Sequence, residues 1–329
     1  MRRRKFIAGV AFGAAMGGAR AQQGAKRKRL AIFSASEPAA LMQLRSENRY
    51  YRAFFEELAR LGHVEGQTLE IERFGRETNT SGLEAMAAAV VRAAPDAVYV
   101  IGGGGLIFKR LTTTLPIVAL TGDPVAIGLV ASIARPGGNI TGVSVDTGPT
   151  IHAKRIDLLR GLAPQMSKLA WLGIRNSPQA AVMPAAAEAS GLALAPFSLD
   201  LPTSEAAYRD AIAAITSSGA DAIMVGDNPD ALVNRALLVG LVSRSRLPAM
   251  YFLREFVEAG GLMAYSFDLV DLNRRAAIDV DAIFKGANPG DIPYYQSSKF
   301  ELSLNLKTAR DLGIAVPPLL LARADEVIE

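Results

Sequence analysis

Along most of the chain, short apolar runs alternate with longer stretches whose apolar residues recur every three or four positions. The first pattern is that of buried strands, the second that of amphipathic helices. Arg29 to Phe33 reads as a strand and Tyr50 to Leu61 as a helix. Thr68 to Arg73 reads as a strand with one exposed face, and Leu83 to Ala93 as a helix. Ala97 to Ile101 is a strand running into four glycines. Leu106 to Leu111 is a short helix, and Pro116 to Leu120 another strand. This βαβα succession predicts a parallel sheet with helices on both faces.

The rhythm then repeats. Leu169 to Ile174, Leu192 to Phe197, Ala222 to Val225 and Ala249 to Phe252 read as strands. Gln179 to Ser190, Ser204 to Ser217 and Ala231 to Ser243 read as the helices between them. Each half has the strand count of an open doubly wound domain. The join is expected near Arg135 to Asn139, just before Ile140 to Val143. A long helix, Leu269 to Phe284, and one more strand, Lys299 to Leu306, follow the second half. The expected fold class is α/β: two doubly wound parallel-sheet lobes, with the chain crossing between them more than once.

The N-terminus breaks the pattern. Arg2, Arg3, Arg4 and Lys5 precede an apolar run, Phe6 to Ala19, closed by Ala19-Arg20-Ala21. A basic start, a short apolar stretch and an A-x-A end describe a secretory signal peptide over residues 1–21, cleaved after Ala21. The run is shorter than the roughly 20 residues a membrane-spanning helix needs. Arg3-Arg4-Lys5-Phe6-Ile7 also resembles the core of a twin-arginine signal, so the general and twin-arginine routes both stay open. Five of the 36 basic residues lie in this segment and none of the 32 acidic ones, so the full-chain charge of +4 falls to about −1 without it. Lys26 to Arg29 form a basic run that reads either as a contact for nucleic acid or anionic lipid or, the favoured reading, as a solvated tail before the first strand. No other stretch combines basic residues with aromatics, which argues against a nucleic-acid partner.

The chain has no cysteine, which removes disulfides, thiolate nucleophiles and sulfur-ligated metals. Of its two histidines, His63 falls in a turn past a helix and His152 near a helix start. Neither has a companion at metal-ligand spacing, so no metal and no cofactor are expected.

Ligands of open parallel sheets bind beyond the carboxyl ends of the strands. The residues there are Ser34 and Ser36, Gly102 to Gly105, Thr121 and Asp123 in the first half. In the second they are Asn176, Asp227 and Asn228, and Tyr251 and Phe252. The glycine run fits a dinucleotide fingerprint badly, because its third glycine would fall at Phe108. Gly103, Gly104 and Gly105 instead read either as bare amides approaching an anion or as a tight turn needing positive φ. Asp123 and Asp227 occupy equivalent positions in the two halves. Each reads either as a helix cap or as an acceptor for a ligand's ammonium group. No G-x-S-x-G and no nucleophile–base pair is present. Two carboxylates alone could serve a glycosidase, but a sugar groove is usually aromatic, and the single Trp171 lies within a strand.

Three stretches carry a family resemblance. They are Asp123 to Val130 running on to Ala134 to Ser144, Ala259 to Tyr265, and Lys299 to Ala309 with Leu321 to Ile328. Together they resemble the ABC transporter substrate-binding proteins of the tryptophan/tyrosine type, over nearly the whole mature chain. The resemblance implies a type I periplasmic binding protein whose lobes, joined by a three-stranded hinge, close on a small ligand. It implies lobe 1 at 27–144 plus about 269–300 and lobe 2 at 145–268 plus about 301–329. It carries Ser34, Asp123 and the Asp227-Asn228 loop as site positions. The chain departs from the family at Gly102 to Gly105, where Thr or Ser and small residues are common. It departs again at Phe252-Leu253, where Ser-Asp is frequent. The expected function is a periplasmic solute receptor for an ABC permease, binding a small polar ligand such as an amino acid or related carboxylate. It is expected to be a monomer and not an enzyme. A ligand-sensing subunit for a membrane receptor and a periplasmic hydrolase on the same fold stand as alternatives.

Overall fold

A computed structural model of the chain describes residues 27–34, 36–75, 82–145, 150–201 and 203–329. Residues 1–21, expected to be a signal peptide, lie outside the described residues.

The first lobe contains β1 (Lys28–Ser34), α1 (Arg49–Arg60), β2 (Leu69–Phe74), α2 (Leu83–Ala93) and β3 (Ala97–Ile101), then α3 (Gly105–Leu111), β4 (Ile117–Thr121) and β5 (Ile140–Ser144). The second contains α4 (Thr150–Leu162), β6 (Lys168–Ile174), α5 (Pro178–Ala189), β7 (Ala193–Leu199), α6 (Glu205–Ser217) and β8 (Ala222–Val225). It continues through α7 (Pro229–Val233), α8 (Arg235–Ser245), β9 (Ala249–Tyr251), α9 (Arg254–Glu258) and β10 (Met263–Phe267). Last come α10 (Leu269–Phe284), β11 (Tyr295–Gln296), β12 (Phe300–Asn305), α11 (Leu306–Leu312), α12 (Pro318–Leu321) and β13 (Glu326–Ile328).

Among the described residues six strands form the first sheet in the order β2-β1-β3-β4-β5-β11, all parallel. Seven form the second, β7-β6-β8-β9-β10-β12-β13, with β12 antiparallel to β10. The central strands are apolar on both sides because helices cover both faces. In β1, Leu30 to Ser34 are all buried, and in β3 Ala97 to Val100 are. The edge strand β2 instead leaves Glu70 exposed and Glu72 and Arg73 half-buried. Helix α1 buries Tyr51, Phe54, Phe55 and Leu58, and starts where the Asn48 side chain accepts from the Tyr50 amide at 2.9 Å.

The expected turn at Arg135 to Asn139 does not divide the lobes. Ile140 to Ser144 pairs with β4 and belongs to the first sheet, so the crossing follows β5. Two further crossings run from β10 to α10 and from β11 to β12. Helix α10 packs on α1 and on β3 to β5, although the strand before it, β10, lies in the other sheet; the strand after it, β11, joins the first. The helix expected over 231–243 is two helices, broken at Asn234, whose φ of −94° and ψ of 17° leave the helical range and whose side chain bonds the Asp230 carbonyl at 2.9 Å. Among the described residues no helix is long and apolar enough to cross a membrane.

Candidate ligand cleft

Chain direction fixes where a ligand can sit. β5, β10 and β11 leave their sheets at carboxyl ends, and β12, running antiparallel to β10, enters its sheet at that same end. All three crossings therefore join the carboxyl ends of the two sheets, and the loops at those ends face each other. The crossings are tied together. The Asp268 amide donates to the Lys299 carbonyl at 3.0 Å, and Asp268 caps α10. Asp271 then accepts from Tyr295 Oη at 2.9 Å and Lys299 Nζ at 2.8 Å.

On the first lobe's side, Ser34 is fully buried and its hydroxyl accepts from the Glu37 amide at 3.3 Å. Ser36 is half-buried and Thr121 is buried. The Asp123 carboxylate accepts from the amides of Val125 and Ala126 at 2.8 and 3.0 Å, which closes the turn after β4. The glycine run has structural reasons at three of its four positions. Gly102 has φ of +84°; a Cβ on Gly104 would stand 2.6 Å from the Phe33 ring, and one on Gly105 3.1 Å from Leu129. Gly103 is exposed with open space around it.

On the second lobe's side, Asn176 is exposed in a left-handed turn with φ of 57°. Asp227 does not cap the helix after β8; Asn228 does, accepting from the Asp230 amide at 2.9 Å. The Asp227 carboxylate instead accepts from Arg155 Nη1 at 2.6 Å, and its amide donates to Gln179 Oε1 at 2.9 Å. Tyr251 and Phe252 are core residues, 1% and 4% exposed, and both rings pack on Phe256. Burial pushes the Tyr251 phenol well up from its ordinary value. Tyr251 also borders a groove of about 330 Å³ between α8 and α11, at the amino ends of β9 and β10, opposite the hinge.

Sequence reasoning passed over three participants. Arg155 is a charged residue on the buried face of α4, in register with Ile151, Leu158 and Leu162. A charge at that spacing was the available signal, because an unpaired arginine is almost never buried. The other two bridge the lobes. The Tyr50 hydroxyl on α1 donates to Glu255 on α9, and Arg49 Nη2 lies 3.5 Å from Glu301 on β12. The Arg49 guanidinium also sits 5.2 Å from the Tyr50 ring centre. Burial and then Glu255 raise the Tyr50 phenol well above its ordinary value. His63 has a structural bond, Nε2 to Asp281 at 2.9 Å. Among the described residues no three His, Cys, Asp or Glu side chains converge to hold a metal.

The model of a family described as ABC transporter substrate binding protein matches residues 40–328. The ABC domain in complex with L-Trp from Streptococcus pneumonia superposes with a TM-score of 0.80 at 26% identity, covering 92% of this chain and 100% of that one. A conserved domain protein from Vibrio cholerae shares the fold at a TM-score of 0.81 and 22% identity, with 92% and 100% covered. The tyrosine-binding protein of Clostridioides difficile is 20% identical over 285 residues, 83% of this chain and 79% of that protein. With two hinged lobes of one strand order and a family match over nearly the whole described chain, the protein belongs to the ABC transporter substrate-binding proteins, which bind small molecules without transforming them.

Proposed function

We propose that the chain is the periplasmic solute-binding component of an ABC importer, which captures an amino acid between its lobes and hands it to an inner-membrane permease. Lobe 1 then comprises 27–144 with about 269–300, and lobe 2 145–268 with about 301–329. The working unit is a monomer. The observation that carries the reading is Asp227. Its carboxylate stands at the carboxyl end of β8, beside the hinge, partly exposed and held in one orientation by Arg155. A ligand ammonium can be met there by a charge-assisted hydrogen bond. Ser36, Gly103 and Asp123 offer polar groups from the facing lobe. The L-Trp complex and the tyrosine-binding relative make an aromatic amino acid the first candidate.

The test is a thermal-shift screen of the protein amino acids, followed by calorimetry and solution scattering. A cognate ligand at a hundredfold excess over its dissociation constant adds about 2.7 kcal/mol of stability. It should also reduce the radius of gyration, as hinge closure requires. Absence of any shift across the amino acids would refute the amino-acid reading. A tight ligand that leaves the radius unchanged would refute closure.

A further inference from the structure

We infer that Arg155 is a positioning residue that turns Asp227 into an electrically compensated acceptor, so that the cleft selects a ligand with no net charge. The inference rests on the proposed cleft, but its evidence is the ion pair. The Arg155 side chain is 1% exposed, which no arginine tolerates without partners. Its Nη1 donates to Asp227 at 2.6 Å and its Nε to the Tyr265 carbonyl of β10 at 2.9 Å. Its Nη2 is buried with no hydrogen-bond partner among the described residues. Asp227 is 24% exposed and its amide is held by Gln179 at the start of α5. The carboxylate is thus fixed by α4 and α5, and through Arg155 to the strand that runs into the hinge.

A bare carboxylate in a closed cleft would draw a cation, since an isolated charge is costly to desolvate. Here Asp227 has its counter-charge built in, while the Asp123 carboxylate on the facing lobe is turned onto the amides of Val125 and Ala126. An ammonium group reaching Asp227 needs a second, negative group on the same molecule to keep the Asp227–Arg155 site neutral. An α-amino acid zwitterion meets that condition. An amine lacking the carboxylate does not, and neither does an acid lacking the amine.

The experiment compares three probes of one shape: L-tyrosine, the cation tyramine and the anion 3-(4-hydroxyphenyl)propionate. The native chain should bind tyrosine at least about tenfold more tightly than either. In Arg155→Met the preference should swing toward tyramine, and in Asp227→Asn toward the anion. These shifts have opposite signs, whereas damage to the fold would weaken all three probes alike. If Arg155→Met does not fold, the Asp227→Asn arm decides alone. Unchanged ratios in the folded variants, with tyrosine still bound, would overturn the role of Arg155 and leave the amino-acid reading intact. If the native chain binds no amino acid, the same comparison is made with D-galactose, D-galactosamine and D-galacturonate. A preference for the neutral sugar, swinging with the variants as before, would uphold Arg155 while the amino-acid reading falls. Binding of no member of either set would overturn both.

Discussion

Asp279 shows how costly one misplaced charge is. It lies on the face of α10 packed against the first sheet, 1% exposed. Arg275 Nε stands 3.1 Å away, the distance of an ion pair without the alignment of a hydrogen bond, and neither carboxylate oxygen has a hydrogen-bond partner among the described residues. Burial pushes the carboxyl up to about 7, with Arg275 offsetting part of the rise. The folded state therefore keeps a proton that the unfolded chain releases near pH 4. Stability is highest below about pH 4 for this group and falls as pH rises through about 7, by on the order of 4 kcal/mol in all. Asp279→Asn removes the charge at nearly constant shape. Its melting temperature should exceed that of the native chain at about pH 8, with a gap that narrows toward about pH 5. A constant gap would show that the carboxyl titrates normally. Gly226 is the opposite case, a residue required for what it lacks. A Cβ there would stand 3.1 Å from both Gln179 Oε1 and Trp171 Nε1, in the space where Gln179 holds the Asp227 amide.

At the scale of elements, the late additions to the second lobe hang on a few side chains. Asn305 ends β12 and begins α11. Its Oδ1 accepts from the Thr308 amide at 2.9 Å, and its Nδ2 donates to the Val257 carbonyl at 3.2 Å. Asn305→Ala removes a cap worth about 1 kcal/mol and one bond to the Val257 carbonyl, which keeps the Gly260 amide as a donor at 3.0 Å. Thermal melts should show the loss, and Asn305→Asp should recover the cap but not the bond to Val257. A melting temperature unchanged in Asn305→Ala would mean that α11 is held by packing alone. The elements legible in the sequence were those with a long, clean period. The bounds of α2, β3, β8 and α10 coincide with the expected ones. Strand β10 was not read as a strand, because five residues behind a glycine pair carry too little periodicity. Strand β11 has two residues and exists only because β5 offers it an edge.

At the scale of the molecule, contacts across the cleft set how readily the lobes meet. Tyr50 to Glu255 and Arg49 to Glu301 join α1 to the second lobe without a ligand. A hydrogen bond to a charged group is worth about 1.5 kcal/mol or more, so losing one moves an open–closed balance roughly tenfold. Tyr50→Phe should enlarge the radius of gyration of the ligand-free protein in solution scattering and weaken ligand binding. An unaltered radius together with unaltered affinity would mean that the contact does not bias closure. The proposed export is tested at this scale too. Periplasmic material should begin at Gln22 on N-terminal sequencing, and mature protein retaining Met1 would refute cleavage after Ala21.

The sequence by itself determined the class of fold and its doubling. Period-2 and period-3.6 burial is written locally, and parallel sheets force their central strands to be apolar throughout. It also named Asp227, because the loop after a parallel strand is a place known from order alone. What it could not contain was the partner. Arg155 is 72 residues from Asp227 and Glu301 is 252 from Arg49, separations that no local pattern spans. The tertiary structure therefore decided that Asp227 is an ion-paired acceptor and not a cap, and that the crossing follows β5. Charge compensation depends on distance in space, and only the assembled fold brings those groups within a few ångströms.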